Sequence, residues 1–326
     1  GALDLFSSII VKSLMSISEK QPIPRAENIA MFKSNAGNIH DSRIIQGVAF
    51  RRRVLMDSLP NKLSDVKVAV ISGDIKIRKM TRTAEIQITS ADQLEAFVDA
   101  EQDRKNSISQ SLVDSGASLV LCGGEIDRDI LHNLADNNIL AIGELDSSEI
   151  ENSASATGAK IVDSIADIER KDLGFCGSVL WERNEASDMV EDIIRIDGCK
   201  KPGLVTIEVG GAGEIATEEI IRGLHDGLRA VSLAIEDQEI LPGGGAIHSR
   251  IANAVRVSSE SEPGRARLAM EAFSRAMETI PGALVENSGN DVLDSILELR
   301  AATRNQEHFM GINENGKISV IDRAWH

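Results

Sequence analysis

The sequence predicts an α/β fold. Three observations carry that reading: short β-branched runs alternate with helical repeats between residues 66 and 208, glycines punctuate the alternation, and the flanking segments are rich in helix. Residues 4–17 repeat Leu5, Ile9, Ile10 and Leu14 at helical spacing and Pro22 and Pro24 stop the run, so one amphipathic helix is expected there. From residue 66 the pattern changes. Runs 66–71, 118–121, 139–142 and 160–162 read as strands and 92–113, 126–134 and 147–156 as helices, with Gly116, Gly143 and Gly158 at the joints. Parallel strands need helical crossovers, so a largely parallel sheet is expected. Runs 179–182 and 189–196 flank the polar turn 184–188 and read as a hairpin, and 204–209 reads as another strand. After Gly210-Gly211, helices are expected over 215–236, 247–257, 264–279 and 292–302, with a hairpin over 310–321 around Asn315-Gly316.

Composition narrows the function. Of 326 residues, 35 are basic and 51 acidic, and the net charge of −16 repels phosphate backbones and anionic membranes, so neither nucleic acid nor membrane is an expected partner. No apolar run approaches the ~18 residues of a membrane span. Cys122, Cys176 and Cys199 have no CxxC spacing and the six histidines are scattered, which argues against a disulfide framework, a metal site and a Ser-His-Asp triad. A reducing cytoplasm fits best. No signal-peptide pattern opens the chain, which starts in apparent helix at Gly1-Ala2-Leu3, as though within a domain.

Three local patterns bear on chemistry. Gly211-Ala212-Gly213-Glu214-Ile215-Ala216 follows a strand and has the form of a dinucleotide fingerprint, yet the helix continues where a second strand ending in an acid is required. A glycine hinge at Gly210 and Gly211 is the simpler reading, since glycine permits backbone angles other residues resist. Leu241-Pro242-Gly243-Gly244-Gly245-Ala246 precedes a helix whose free N–H groups suit a phosphate or a nucleotide, or it is simply a turn. His225-Asp226 lies on the helix after the hinge, as part of a solvated charged face or as a carboxylate that orients an attacking water.

Six motifs run colinearly along the chain: Gly37-Asn38-Ile39-His40-Asp41-Ser42 continuing to Gly47-Val48, Ala84-Glu85-Ile86-Gln87-Ile88-Thr89, Ala156-Thr157-Gly158-Ala159-Lys160, the triglycine, residues 269–281, and Glu286-Asn287-Ser288-Gly289. In this order they resemble the group II chaperonins, the family of the archaeal thermosome and the eukaryotic cytosolic chaperonin. They span nearly the whole chain.

The resemblance implies a central α/β apical domain with a helical protrusion, inserted into an α-rich intermediate domain and followed by a partial α-helical equatorial domain. Its boundaries would be 1–46 and 209–238 (intermediate), 47–208 (apical, protrusion about 74–105) and 239–326 (equatorial). It implies an ATP-dependent chaperone that folds non-native polypeptides in the closed chamber of a double-ring oligomer, with ATP and Mg2+ as cofactors. Asp226, in Arg222-Gly223-Leu224-His225-Asp226, falls on the water-activating Asp. Gly243, Gly244 and Gly245 fall on nucleotide-contacting glycines, and Asn287 and Ser288 near the base-contacting loop. Substrate contacts are expected from Ile75, Ile77 and Met80 on the protrusion and from Arg128, Ile130, Leu131 and His132 on the helix at 127–136. In that helix either the whole face meets substrate, or Ile130, Leu131 and Leu134 pack on the sheet and only the polar positions do. The protrusion is expected to leave Ile75 to Thr83 exposed, the alternative being a satellite hairpin packed on the domain.

Departures from the family pattern are also expected to matter. The chain has no G-D-G-T-T phosphate loop, whose Asp holds magnesium, and Ala212 and Gly227 stand where the family has Thr and Ala. A subunit fragment without the N-terminal equatorial half and the C-terminal helix would not turn over ATP, so a passive polypeptide-binding module is the competing reading. An oxidoreductase using 211–216 is a third.

Overall fold

A computed structural model describes residues 2–20, 22–34, 37–55, 61–77, 91–184, 191–211, 213–304 and 308–321. The chain forms two compact units, 1–232 and 233–326. The first begins with α1 (Ala2–Ser18), β1 (Ile29–Lys33), β2 (Arg43–Ile45), β3 (Val48–Arg51) and β4 (Lys62–Ile71). An alternating stretch follows: α2 (Ala91–Ser115), β5 (Leu119–Cys122), α3 (Arg128–Asp136), β6 (Leu140–Ile142), α4 (Ser147–Thr157) and β7 (Ile161–Val162). Then come β8 (Gly174–Asn184), β9 (Glu191–Asp197), β10 (Val205–Val209) and the long α5 (Glu214–Asp237). The expected turn between β8 and β9 lies largely outside the described residues.

The larger sheet runs β3-β9-β8-β4-β5-β6, with β7 beside β4. It is mixed, not largely parallel: β5, β6 and β7 join β4 through parallel ladders, whereas β8, β9 and β3 run antiparallel. Helical crossovers force parallel pairing in one half, while the β8–β9 hairpin brings antiparallel pairing to the other. Both faces of the central strands are covered. Val66, Val68, Val70, Leu119 and Leu121 point into one core with Ile150 and Ala154 of α4, and Ala69, Ile71, Val120 and Cys122 into the other with Leu112 of α2 and Ile130, Leu131 and Leu134 of α3. Period-2 side-chain alternation thus feeds two cores from one run of residues.

That packing corrects two expectations. Ile75 is fully buried; its N–H donates to the Glu125 carbonyl and its own carbonyl accepts from Asp127 N–H, a parallel bridge to Ile126 beyond the ends of β4 and β5, so it is not an exposed protrusion residue. Ile77 is half-buried and Met80 lies outside the described residues. Ile130 and Leu131 are core residues at 0% and 4% exposure, because α3 needs an apolar stripe to seat on the sheet. Arg128 and His132 remain on its exposed side.

The smaller sheet, β1-β10-β2, pairs β1 parallel and β2 antiparallel with β10. Ile9, Leu14 and Ile17 of α1 are buried, and α1 lies against β10. The chain crosses from the small sheet to the large one at Gln46-Gly47, where a Cβ on Gly47 would stand 2.0 Å from the Ile196 carbonyl oxygen; only glycine fits. Buried charge joins the two sheets. Glu208 of β10 accepts from Arg43 Nε on β2 at 2.8 Å and from Arg195 Nη2 on β9 at 2.7 Å, and Arg195 Nη1 also donates to Glu182 of β8 at 2.6 Å. Burial pushes the Glu208 carboxyl up, but hydrogen bonds from Arg195 and Arg43 outweigh it and hold the carboxyl below its ordinary range.

The second unit contains α6 (Ala246–Ser259), α7 (Arg265–Met277), α8 (Thr279–Asn287), α9 (Val292–Thr303) and the hairpin β11 (Met310–Ile312) and β12 (Ile318–Val320). The run expected as one helix over 264–279 breaks at Glu278 and continues as α8. Pro281 sits in the first turn of α8, where its missing N–H costs no helical bond. Glu278 is itself a buried hub, gripped by Arg256 of α6 and Arg300 of α9. Val285, Ile296, Leu299 and Ile312 form the apolar core beside it.

Because Glu208 is held below its unfolded value, it contributes stability that is present above the ordinary glutamate range and lost as pH falls through and below it. Urea unfolding of the first-unit transition is therefore expected to show Glu208→Gln less stable than wild type by about 3 kcal/mol at pH 7. The gap should narrow below about pH 4.5, the unfolded value at which the carboxyl begins to protonate. A gap independent of pH contradicts the role given to the carboxylate.

Candidate nucleotide and polypeptide sites

The triglycine turn is held by the hairpin and α8. Gly244 and Gly245 have φ of +61° and +69°, in the left-handed region where a side chain is strained. The Gly244 carbonyl accepts from Ile312 N–H at 2.8 Å, and a Cβ on Gly245 would lie 2.8 Å from Pro281 Cβ. Gly243 caps the turn by accepting from Ala246 N–H. The turn thereby sets the start of the 14-residue α6, the positive end of a helix dipole, with Gly243 and Gly244 partly exposed and Gly245 and Ala246 buried.

The hairpin reaches the second candidate segment as well. Ser288 closes α8, its hydroxyl donating to the Leu284 carbonyl at 2.7 Å, and Asn287 and Ser288 are exposed. A Cβ on Gly316, in the hairpin turn, would stand 2.3 Å from Ser288 Cβ, and Asn290 Nδ2 donates to the Gly316 carbonyl. One end of the hairpin thus buttresses Gly243 to Gly245 and its turn buttresses Asn287 and Ser288. That shared support had no signal in the sequence beyond Asn315-Gly316, because it joins segments about 70 and about 30 residues apart along the chain. An open cavity of about 370 Å³, lined by Arg275, Glu278, Thr279, Gly282, Val292 and Arg300, includes none of these five residues.

Asp226 lies in the first unit on the exposed face of α5, beside His225 and one turn after Arg222, which pairs with Glu219 at 3.9 Å. Among the described residues Asp226 accepts no hydrogen bond and forms no ion pair, so its carboxylate is open to water. Lys33 of β1 ties the start of the same helix through Glu218 at 3.5 Å. Gly210 and Gly211 do not have positive φ. Their need for glycine is spatial: a Cβ on Gly210 would meet the Asn38 carbonyl at 2.4 Å, and one on Gly211 the Thr217 hydroxyl at 2.5 Å. The Gly210 N–H donates to Ser42 Oγ, which fixes the strand-to-helix exit against the motif at 37–48. The dinucleotide alternative fails, because α5 leads straight into α6 with no strand between them.

The candidate polypeptide face would be built by α2 and α3. Residues 95–104 of α2 are all exposed, and they carry Phe97 and Val98, 46% and 55% accessible. Lys105 anchors the helix where it meets the domain, reaching Asp129 at 2.6 Å and Asp127 at 3.3 Å. The hydrogen bond from Lys105 holds the Asp129 carboxyl below its ordinary value. Arg128 and His132 sit on the exposed side of α3, next to that anchor. Phe97 and Val98 were missed in the sequence; an apolar pair inside an otherwise acidic helical run was the available signal. The described residues bring together no group of three His, Cys, Asp or Glu able to hold a metal ion.

A doubly covered mixed sheet beside a three-stranded one, followed by a helical unit with a triglycine turn, is the architecture of a chaperonin subunit. The open-state monomer of a group II chaperonin from Methanococcoides burtonii shares it, with a TM-score of 0.67 at 24% identity over 97% of this chain and 73% of that one. Residues 1–324 match the TCP-1/cpn60 chaperonin family. Thermosome subunit alpha of Archaeoglobus fulgidus is 33% identical over 324 residues, 98% of this chain and 59% of that protein. Thermosome subunit beta of Methanothermobacter thermautotrophicus is 32% identical over 324 residues, 99% of this chain and 59% of its own length. The chain belongs to the TCP-1/cpn60 chaperonin family and spans about three fifths of the length of the curated relatives it matches.

If the glycine turn is shaped by the two close approaches, Gly245→Val should destabilise the second unit by about 2 kcal/mol or more in thermal unfolding. Gly282→Ala, whose Cβ would make only a 3.5 Å contact with Val292, should leave it unchanged or slightly firmer. Equal effects of the two substitutions would remove the steric account.

Proposed function

We propose that this chain supplies the polypeptide-binding and hinge parts of an ATP-driven group II chaperone. The observation that carries the reading is the solvent-facing stretch 95–104 of α2, which presents Phe97 and Val98 about two helical turns before the Lys105 anchor, while Arg128 and His132 stand exposed on α3 beside that anchor. Such a surface offers an unfolded chain weak apolar contacts and exchangeable polar ones, without a fixed register. In this assignment 47–208 is the apical domain, 1–46 and 209–238 form the intermediate domain, and 239–326 is part of the equatorial domain. Gly243 to Gly245, with the α6 N-terminus, suit the anionic end of a nucleotide, and Asn287 and Ser288 suit polar contacts to its base or ribose. Asp226, open to water on α5, would orient the hydrolytic water once α5 is brought to a bound nucleotide. Magnesium has no ligand set among the described residues, so no step is assigned to it. The double ring, the closed chamber and a cytoplasmic setting belong to the same proposal.

On this reading the chain binds non-native polypeptide but does not turn over ATP unaided. Two outcomes are expected. The chain should slow aggregation of a chemically unfolded test protein, and Phe97→Ser with Val98→Ser should remove at least half of that effect with no change in Tm, as should Arg128→Ala with His132→Ala. Full suppression by both double variants would move the binding face elsewhere. With magnesium-ATP, phosphate release should equal buffer for wild type and Asp226→Ala alike; turnover abolished by Asp226→Ala would overturn the passive role of the isolated chain.

A further inference from the structure

The two cysteines at the root of the β8–β9 hairpin are unused by the function above. In the antiparallel ladder Ser178 faces Asp197, and the Gly177 N–H donates to the Gly198 carbonyl at 3.0 Å. Next outward come Cys176, still in β8, and Cys199, two residues past the end of β9. Left-handed Gly198, at φ +71°, turns the chain inward there, and both thiols enter the same apolar core at 0% and 4% exposure. The Cys199 N–H donates to the Gln46 carbonyl and not to Cys176, so the cysteine pair makes no ladder bond of its own. Directly opposed residues of a regular antiparallel ladder have Cα atoms about 4.5 to 5.5 Å apart, inside the window a disulfide accepts, and the last regular pair here, Ser178–Asp197, is two positions away.

We propose that Cys176 and Cys199 are a latent dithiol that closes to an intramolecular disulfide when the folded chain meets a small-molecule disulfide oxidant. Cys199 is the entry thiol, flanked by exposed Gly198 and Lys200. Its thiolate attacks one sulfur of oxidised glutathione, breaking that S–S bond and releasing one glutathione. The Cys176 thiolate then attacks Cys199 Sγ, forming the protein S–S bond and releasing the second glutathione; the two cysteine protons end on the two released thiols. Two protein thiols are oxidised and one glutathione disulfide is reduced. Burial pushes the Cys176 thiol up to about 12 and raises Cys199 as well, so closure proceeds through local opening and is slow. The product ties the hairpin root at the place where Cys199 already bonds to Gln46, the crossing between the two sheets. This inference does not depend on the function proposed above.

Incubating the native full chain with excess oxidised glutathione, then titrating thiols after denaturation and mapping peptides, tests it. Of the three free cysteines, only Cys122 should remain titratable, with Cys176 linked to Cys199, and dithiothreitol should restore all three. Cys176→Ala should stall as a glutathione adduct on Cys199. If that variant fails to fold, Cys122→Ala keeps the test, since it should lose every titratable thiol. Three thiols surviving in wild type, a stable adduct in place of the bridge, or a link to Cys122 would each overturn the proposal.

Discussion

Glu208 lies on the middle strand of the small sheet, 3% exposed, and takes hydrogen bonds from Arg43 of its own sheet and Arg195 of the larger one. A carboxylate removed from water this far is costly unless nearly every lone pair is met. Here the donors come from two different sheets, so the cost is offset only while the sheets stand in one relation to each other. The geometry of the first unit is therefore fixed by direction as well as by apolar contact. Arg195 carries the constraint onward to Glu182 on β8, so β2, β10, β9 and β8 share one network.

Around that network the chain makes close backbone approaches. Gly47 passes under the Ile196 carbonyl, Thr206 Oγ1 donates to the Gly47 carbonyl, and Gly210 passes beside Asn38. Each is a place where the chain enters or leaves a sheet. Movement of α5 relative to the large sheet would have to be absorbed at these crossings, since the strands on either side are locked in ladders. The second unit repeats the device on a smaller scale, with Glu278 held between Arg256 and Arg300. Burial raises its carboxyl, and the two guanidinium groups bring it back below the ordinary range.

Much of this was legible in the sequence, and the rest was not for identifiable reasons. Helices α2 to α6 and α9 and strands β4 to β7 were visible because each is bounded by glycine or a polar turn and is internally periodic. Strands β1, β2 and β3 escaped because three to five residues are too few to show a period. Helix α8 escaped because the run expected over 264–279 gave no sign of a break at Glu278, and Pro281 stands where a helix tolerates it. Ile75 and Leu131 show the limit of reading exposure from sequence: an apolar residue in a polar neighbourhood is as readily a core contact brought by another strand or helix. The motifs pointed to the triglycine turn, but the hairpin that supports both it and Ser288 is a tertiary fact.

The most direct test of the account is a double-mutant cycle on Arg195→Met and Glu208→Gln, with stability from urea unfolding at pH 7. If the shared carboxylate fixes the two sheets, the two substitutions should be non-additive with a coupling of about 2 kcal/mol or more. Additivity to within about 0.5 kcal/mol would mean that the pair is incidental and that the sheets are held by apolar packing alone.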